Sequence, residues 1–188
     1  MIDRDKFFNS VRADPFGGSL TQAQVNGLNY LLDAWERRFR DQDIRWLAYC
    51  LATAFHETAR KMEPIEEYGE GEGQPYGEPD GPFDQCYYGR GYVQLTWLEN
   101  YEKGEKILAQ EYGVMCPMVE YPHRMLEHEP AALILYDGSI GGWFTGQKLG
   151  DYFNADVDDP YNARRVINGV DCAETIAGYH KAFLKALT

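Results

Sequence analysis

The chain lacks any excess of positive charge. Its 188 residues carry a formal net charge of −12, and no basic patch interleaved with aromatics occurs along it. Nucleic-acid binding needs a basic footprint, and adhesion to anionic lipid needs one too, so both classes are set aside. No apolar run approaches the length of a membrane span, and residues 1–8 hold no apolar signal-peptide core. The expectation is synthesis in the cytoplasm without a signal peptide, no membrane insertion, and delivery by another system if the target lies outside. Cysteine is scarce: Cys50, Cys86, Cys116 and Cys172 are widely spaced with no C-x-x-C pair. That spacing offers no metal-ligand set and points to free thiols. There is no internal repeat, low-complexity tail or domain linker, so 1–188 reads as one domain, expected to be a monomer.

What is present is ordinary in hydrophobic content (44%) and charge (26%) but rich in aromatics (14%), led by 14 Tyr. Amphipathic rings suit a sugar-binding surface, and they equally suit a well-filled core. The pattern is mainly helical. Residues 3–12 form a short amphipathic segment. Thr21 is a candidate N-cap with Gln24 as capping-box partner for a helix running to about Phe39. Asp43 caps a third helix over 44–61, with Ile44, Leu47, Cys50, Leu51, Ala54 and Phe55 on one stripe. Residues 68–86 hold five glycines and three prolines and read as a long irregular loop, functional or mobile. Residues 87–97 read as a β element, 98–112 as a polar helix, and 129–144 as a buried helix. A short helical turn at 147–153 and helices at 162–167 and 174–187 close the chain.

The chemistry concentrates in residues 54–97. Glu57 falls near the end of the apolar third helix, where the helix dipole disfavours an anion, so it is expected to keep its proton and serve as a general acid. Ten residues on, Glu67 lies in a polar segment suited to a charged base. Glu63 and Glu66 are its rivals, and spacing does not choose among the three. Two carboxyls in different environments are what glycosidic cleavage needs. His56-Glu57 falls short of a zinc H-E-x-x-H because position 60 is Arg60. His56 then reads as a hydrogen bonder behind the site or a packed core residue. Gln94 and Thr96, two apart on one face of the β element, offer an amide and a hydroxyl to a substrate or water, or form a simple polar turn. Asn100 follows as a further polar group or a helix cap. Arg90 in Gly89-Arg90-Gly91 reads as the partner of a buried carboxylate, not as part of a phosphate loop. The acidic run 154–159 departs from a calcium loop at positions six and twelve and reads as a solvated turn. No metal and no cofactor is expected.

These residues carry a resemblance. His56-Glu57-Thr58, Tyr87-Tyr88-Gly89-Arg90-Gly91, Gln94-Leu95-Thr96, Asn100-Tyr101 and Ile167-Asn168-Gly169 stand in one order from Ala54 to Val170. The set resembles glycoside hydrolase family 19, the plant-type chitinases and related lysozyme-like endolysins. The resemblance implies a mainly α (α+β), lysozyme-like fold: two α-rich lobes, a small β element and a central cleft. It implies Glu57 as general acid and Glu67 as general base, in a segment shorter than that of plant members. It also implies Gln94, Thr96 and Asn100 as substrate- or water-positioning residues, Asn168 as a cleft-lining residue, and Tyr88 and Arg90 as shapers of the cleft and of the acid's surroundings. The single domain would then be an inverting glycosidase acting on a β-1,4-linked N-acetylhexosamine polymer. The reading favours bacterial peptidoglycan, hence cell-wall lysis, with chitin as the alternative and a non-catalytic glycan-binding relative behind both.

Overall fold

Three side-chain N-caps start the first three helices, and two of them, Thr21 and Asp43, are those read from the sequence. The computed structural model describes residues 1–188. Asp3 accepts the Lys6 N–H at 3.0 Å to open α1 (Arg4–Ala13). Thr21 and Gln24 exchange side-chain-to-backbone bonds at 3.2 and 2.8 Å, the reciprocal box that opens α2 (Gln22–Arg38). Asp43 accepts the Arg45 N–H at 2.9 Å to open α3 (Ile44–Glu57). Each such cap contributes about 1 kcal/mol.

α3 is the central helix, with every residue from Leu47 to Phe55 buried. It packs against α5 (His128–Gly141) and α7 (Ala173–Leu187). α5 is buried throughout Pro130–Tyr136, which explains why its sequence shows no polar face. α4 (Leu98–Tyr112) stops at Gly113 in the left-handed region (φ 69°), and α6 (Leu149–Tyr152) is a single turn. One continuous apolar cluster joins side chains from Phe7 to Ala186.

Three expectations need correction. α3 ends at Glu57, four residues before periodicity would stop it. Ala59, Arg60 and Met62 take positive φ (49°, 69° and 56°), and Thr58 ties the exit by donating to Ala54 O and accepting from Met62 N–H. No glycine marks this stop, so the pattern alone does not reveal it. The exit is also pinned from outside. A Cβ on Gly27 of α2 would lie 1.6 Å from Met62 O, so only glycine allows this backbone-to-backbone approach. The stretch 87–97 is the second correction. Only β2 (Arg90–Gly91) is strand; it pairs antiparallel with β1 (Ile65–Glu66), Ile65 opposite Gly91 and Glu66 opposite Arg90. Gly91 (φ 87°) and Gln94 (φ 54°) fold the chain back so that Leu95 bonds Arg90. The segment 162–167 is likewise tighter than an α-helix, a 3-10 turn over Asn162–Val166.

The core also holds an acid sensor of stability. His180 on α7 is buried, stacked on Phe153 at 5.0 Å with Tyr49 at 5.7 Å. Burial pushes its pKa down to about 4. A depressed histidine is neutral inside the fold, so its contribution is full above the unfolded value near 6.5 and is lost as pH falls towards 4. The expected loss is about 3 kcal/mol. Urea midpoints of wild type and His180→Phe between those pH values check it: the variant should show a flatter acid limb, and parallel curves would remove His180 as the source.

Candidate active site

Glu57 closes α3 and points at a group from far along the chain. Its Oε1 accepts from Arg164 Nη1 at 2.7 Å, with side chains 18% and 5% exposed. Arg164 sits in the 3-10 turn and is anchored by donating to Asp171 O at 3.2 Å. The apolar surroundings inferred from the helix pattern are therefore replaced by a hydrogen bond from a guanidinium to one carboxyl oxygen. Arg164 also takes the place assigned to Arg90, which lies elsewhere. Replacing Arg164 by Met would leave the Glu57 carboxyl without its partner. The expected cost is on the order of 2 kcal/mol, below that of a fully buried pair because Glu57 keeps some solvent. Denaturant unfolding of Arg164→Met, Glu57→Gln and the double variant checks it; fully additive effects would dissociate the two residues.

Glu67 follows β1 and is held by the opposite strand. Its N–H donates to Gly89 O at 2.7 Å, its Oε2 accepts the Gly89 N–H at 3.1 Å, and its Oε1 accepts from Tyr76 Oη at 3.4 Å. Burial and the adjacent Glu67 raise the Tyr76 phenol above its ordinary value, so it remains a donor at neutral pH. Gly89 is what lets these groups meet. A Cβ there would come within 3.0 Å of Gln94 Oε1 and 3.3 Å of Glu67 Oε2. The Gln94 amide is oriented by donating to Ile65 O (3.1 Å) and Gly91 O (3.2 Å), which directs its oxygen to the Glu67 side.

The rival carboxylates have other attachments. Glu66 accepts from Tyr88 Oη and from Arg90 Nε, both at 3.2 Å. Arg90 is buried, lies 3.5 Å over the Tyr88 ring, and donates to Cys86 O and Tyr101 Oη. Tyr88 and Arg90 thus brace the ribbon through Glu66, a partly exposed carboxylate rather than the buried one expected from sequence. Glu63 makes no side-chain hydrogen bond, and its charge lies near Tyr92 and His128.

Gln94, Thr96 and Asn100 line one small cleft of about 160 Å3 with Trp97, Phe144 and Ile167. Gln94 and Thr96 reach it from a bend and not from a strand face. Asn100 donates to Thr96 O at 2.9 Å, a brace and not a helix cap. Two expected residues stand apart. His56 is half-buried without a side-chain hydrogen bond. Asn168 is exposed, accepts from Gly169 N–H at 2.8 Å, and leaves its neighbour Ile167 to line the cleft. Sequence reasoning missed Arg164, Tyr76 and Phe144. Tyr76 lies in the 68–86 loop that composition had marked, and it packs edge-on against Trp97 at 5.3 Å. Nothing local marks Arg164, 107 positions from Glu57. In the acidic run, Asn154 Oδ1 accepts the N–H groups of Asp156 and Val157, a self-bonded turn.

No family profile and no curated protein matches this chain by sequence. Solved structures do match by fold. Chitinase C from Streptomyces griseus HUT6037 superposes with a TM-score of 0.60 at 20% identity, over 99% of this chain and 76% of that one. The family GH19, class IV chitinase of Zea mays gives 0.53 at 16%, over 97% and 91%. A bacterial family 19 chitinase gives 0.51 at 20%, over 99% and 94%. The chain has the mainly α, lysozyme-like fold of the family 19 chitinases.

Proposed function

We propose that this protein is an inverting glycoside hydrolase acting on β-1,4-linked N-acetylhexosamine polymers. The observation that carries the reading is the convergence of the Glu67 carboxylate and the Gln94 amide oxygen over Gly89, with Glu57 held by Arg164. A water held between two such acceptors is oriented for attack. Glu57 gives its proton to the glycosidic oxygen as that bond to the anomeric carbon breaks. Glu67 takes a proton from the water as the new carbon–oxygen bond forms on the opposite face. Arg164 then faces the carboxylate that proton transfer leaves on Glu57. The uncharged polar groups of Gln94, Thr96 and Asn100 suit hydroxyls and acetamides, and the half-exposed Trp97 offers a ring face to a sugar.

Peptidoglycan strands are the substrate we place first. The four cysteines form no disulfide, so no covalent brace ties the 68–86 loop, whose Tyr76 packs on the cleft-lining Trp97. An unbraced rim suits a strand bearing peptide stems. Chitin is the second reading, supported by neighbours that are named as chitinases. The deciding experiment measures soluble product from purified peptidoglycan and from a chitin oligomer, with the anomer of the new end read by NMR. Peptidoglycan cleavage with an α end is expected. Cleavage of the oligomer alone would shift the assignment to chitin, a β end would discard inversion, and inertness towards both would sink the proposal.

A further inference from the structure

A second polar depression lies on α2, sharing no residue with the cleft. Asn26, Asn29, Tyr30 and Asp33 recur at helical spacing and line about 400 Å3. Tyr30 is 50% exposed. It is also held rigid from beneath. Its ring stacks on His128 at 4.2 Å and 11°, and His128 Nδ1 lies 2.7 Å from the hydroxyl of the buried Tyr92. A ring fixed on one face presents the other at little entropic cost.

The polar groups beside it are partly uncommitted. Asn29 makes no side-chain hydrogen bond. Asn26 uses only its oxygen, accepting from Gln22, and Asp33 uses only Oδ1, accepting from Arg4. Arg4 is shared between Asp33 and Glu36, so no free cation faces the depression. Burial lowers the His128 pKa, which keeps that ring neutral at pH 7. Phosphate and acidic peptides find no counter-charge here. A flat apolar face ringed by short amides and one carboxylate oxygen matches a neutral pyranose, whose C–H face stacks while its hydroxyls bond at the edge.

We infer that Tyr30, Asn29 and Asp33 form a second, non-catalytic binding site for a β-1,4-linked N-acetylhexosamine chain. The choice of that sugar rests on the proposed function of the cleft; the neutral-pyranose chemistry does not. Two weak sites on one polymer raise the effective concentration of the second after the first engages, which would retain the protein on an insoluble substrate.

The test uses the full chain carrying Glu57→Gln, isotope-labelled and titrated with N-acetylglucosamine hexamer to about 5 mM while amide shifts are followed. Two sets of shifts are expected, one at Gln94 and Thr96 and one across 26–33. Adding Tyr30→Ala should weaken the second set about tenfold and spare the first, and Tyr30→Phe should keep both. Glycan strands freed of peptide, titrated in parallel, tell whether the site takes wall glycan as well as chitin; a response to either supports it. Silence across 26–33 with the cleft responding to these ligands would remove the second site alone. Silence at both would remove the polysaccharide reading too. Shifts across 26–33 with a silent cleft would support the site and defeat the cleft assignment. Shifts across 26–33 that survive Tyr30→Ala would overturn the stacking platform and the site with it.

Discussion

Glu57→Gln is expected to lower kcat by roughly 10²–10⁴-fold on whichever polymer the wild type cleaves. The amide keeps the shape of the carboxyl and still offers an oxygen to Arg164 Nη1, which now lies 2.7 Å from Oε1. What it cannot do is deliver a proton to the leaving oxygen. The rate should therefore collapse while the fold persists, with unfolding midpoints shifted only by the weakening of one charge-assisted bond, about 1–2 kcal/mol. Steady-state kinetics and circular dichroism on the same preparation separate the two effects. A rate within tenfold of wild type would take Glu57 out of the acid's role, and a collapsed fold would assign it to structure instead.

The second large effect separates the three neighbouring carboxylates. Glu67→Gln should depress kcat by about 10²–10³-fold, because Glu67 alone combines the Gly89 N–H, the Tyr76 hydroxyl and proximity to the Gln94 oxygen. Glu66→Gln should act mainly on stability, since it weakens the link to Arg90 and Tyr88 that braces the ribbon; about 1 kcal/mol is expected. Glu63→Gln should do little to either. Measured side by side, a steeper loss of kcat in Glu66→Gln than in Glu67→Gln would move the base to Glu66.

Much of the helical frame was legible because its signals are local. Thr21-Gln24 and Asp43 act within three residues of the helices they start, and α4 covers the 98–112 span that its polar pattern marked. Leu47, Leu51 and Ala54 repeat at a period that only a helix satisfies, and they are buried. Glu57, Gln94 and Thr96 stood out by residue type in a recognisable order. Where the prediction failed, the cause was non-local or conformational. The early end of α3 depends on positive φ at Ala59, Arg60 and Met62, residues whose identity does not announce it. The β element dissolved because Gln94 also adopts positive φ, a conformation held by its amide bonds to Ile65 and Gly91.

The amino-acid sequence by itself determined the mainly helical class, the starts of α2 and α3 and the segment proposed to carry the chemistry, because caps, periodicity and residue type act over a few positions. Only the tertiary structure decided which charge meets which. It brought Arg164 to Glu57 across 107 positions, gave Arg90 to Glu66 instead, and let Glu67 and Gln94 converge where Gly89 has no side chain. Coulomb and hydrogen-bond energies depend on separation in space, and a sequence records separation only along the chain.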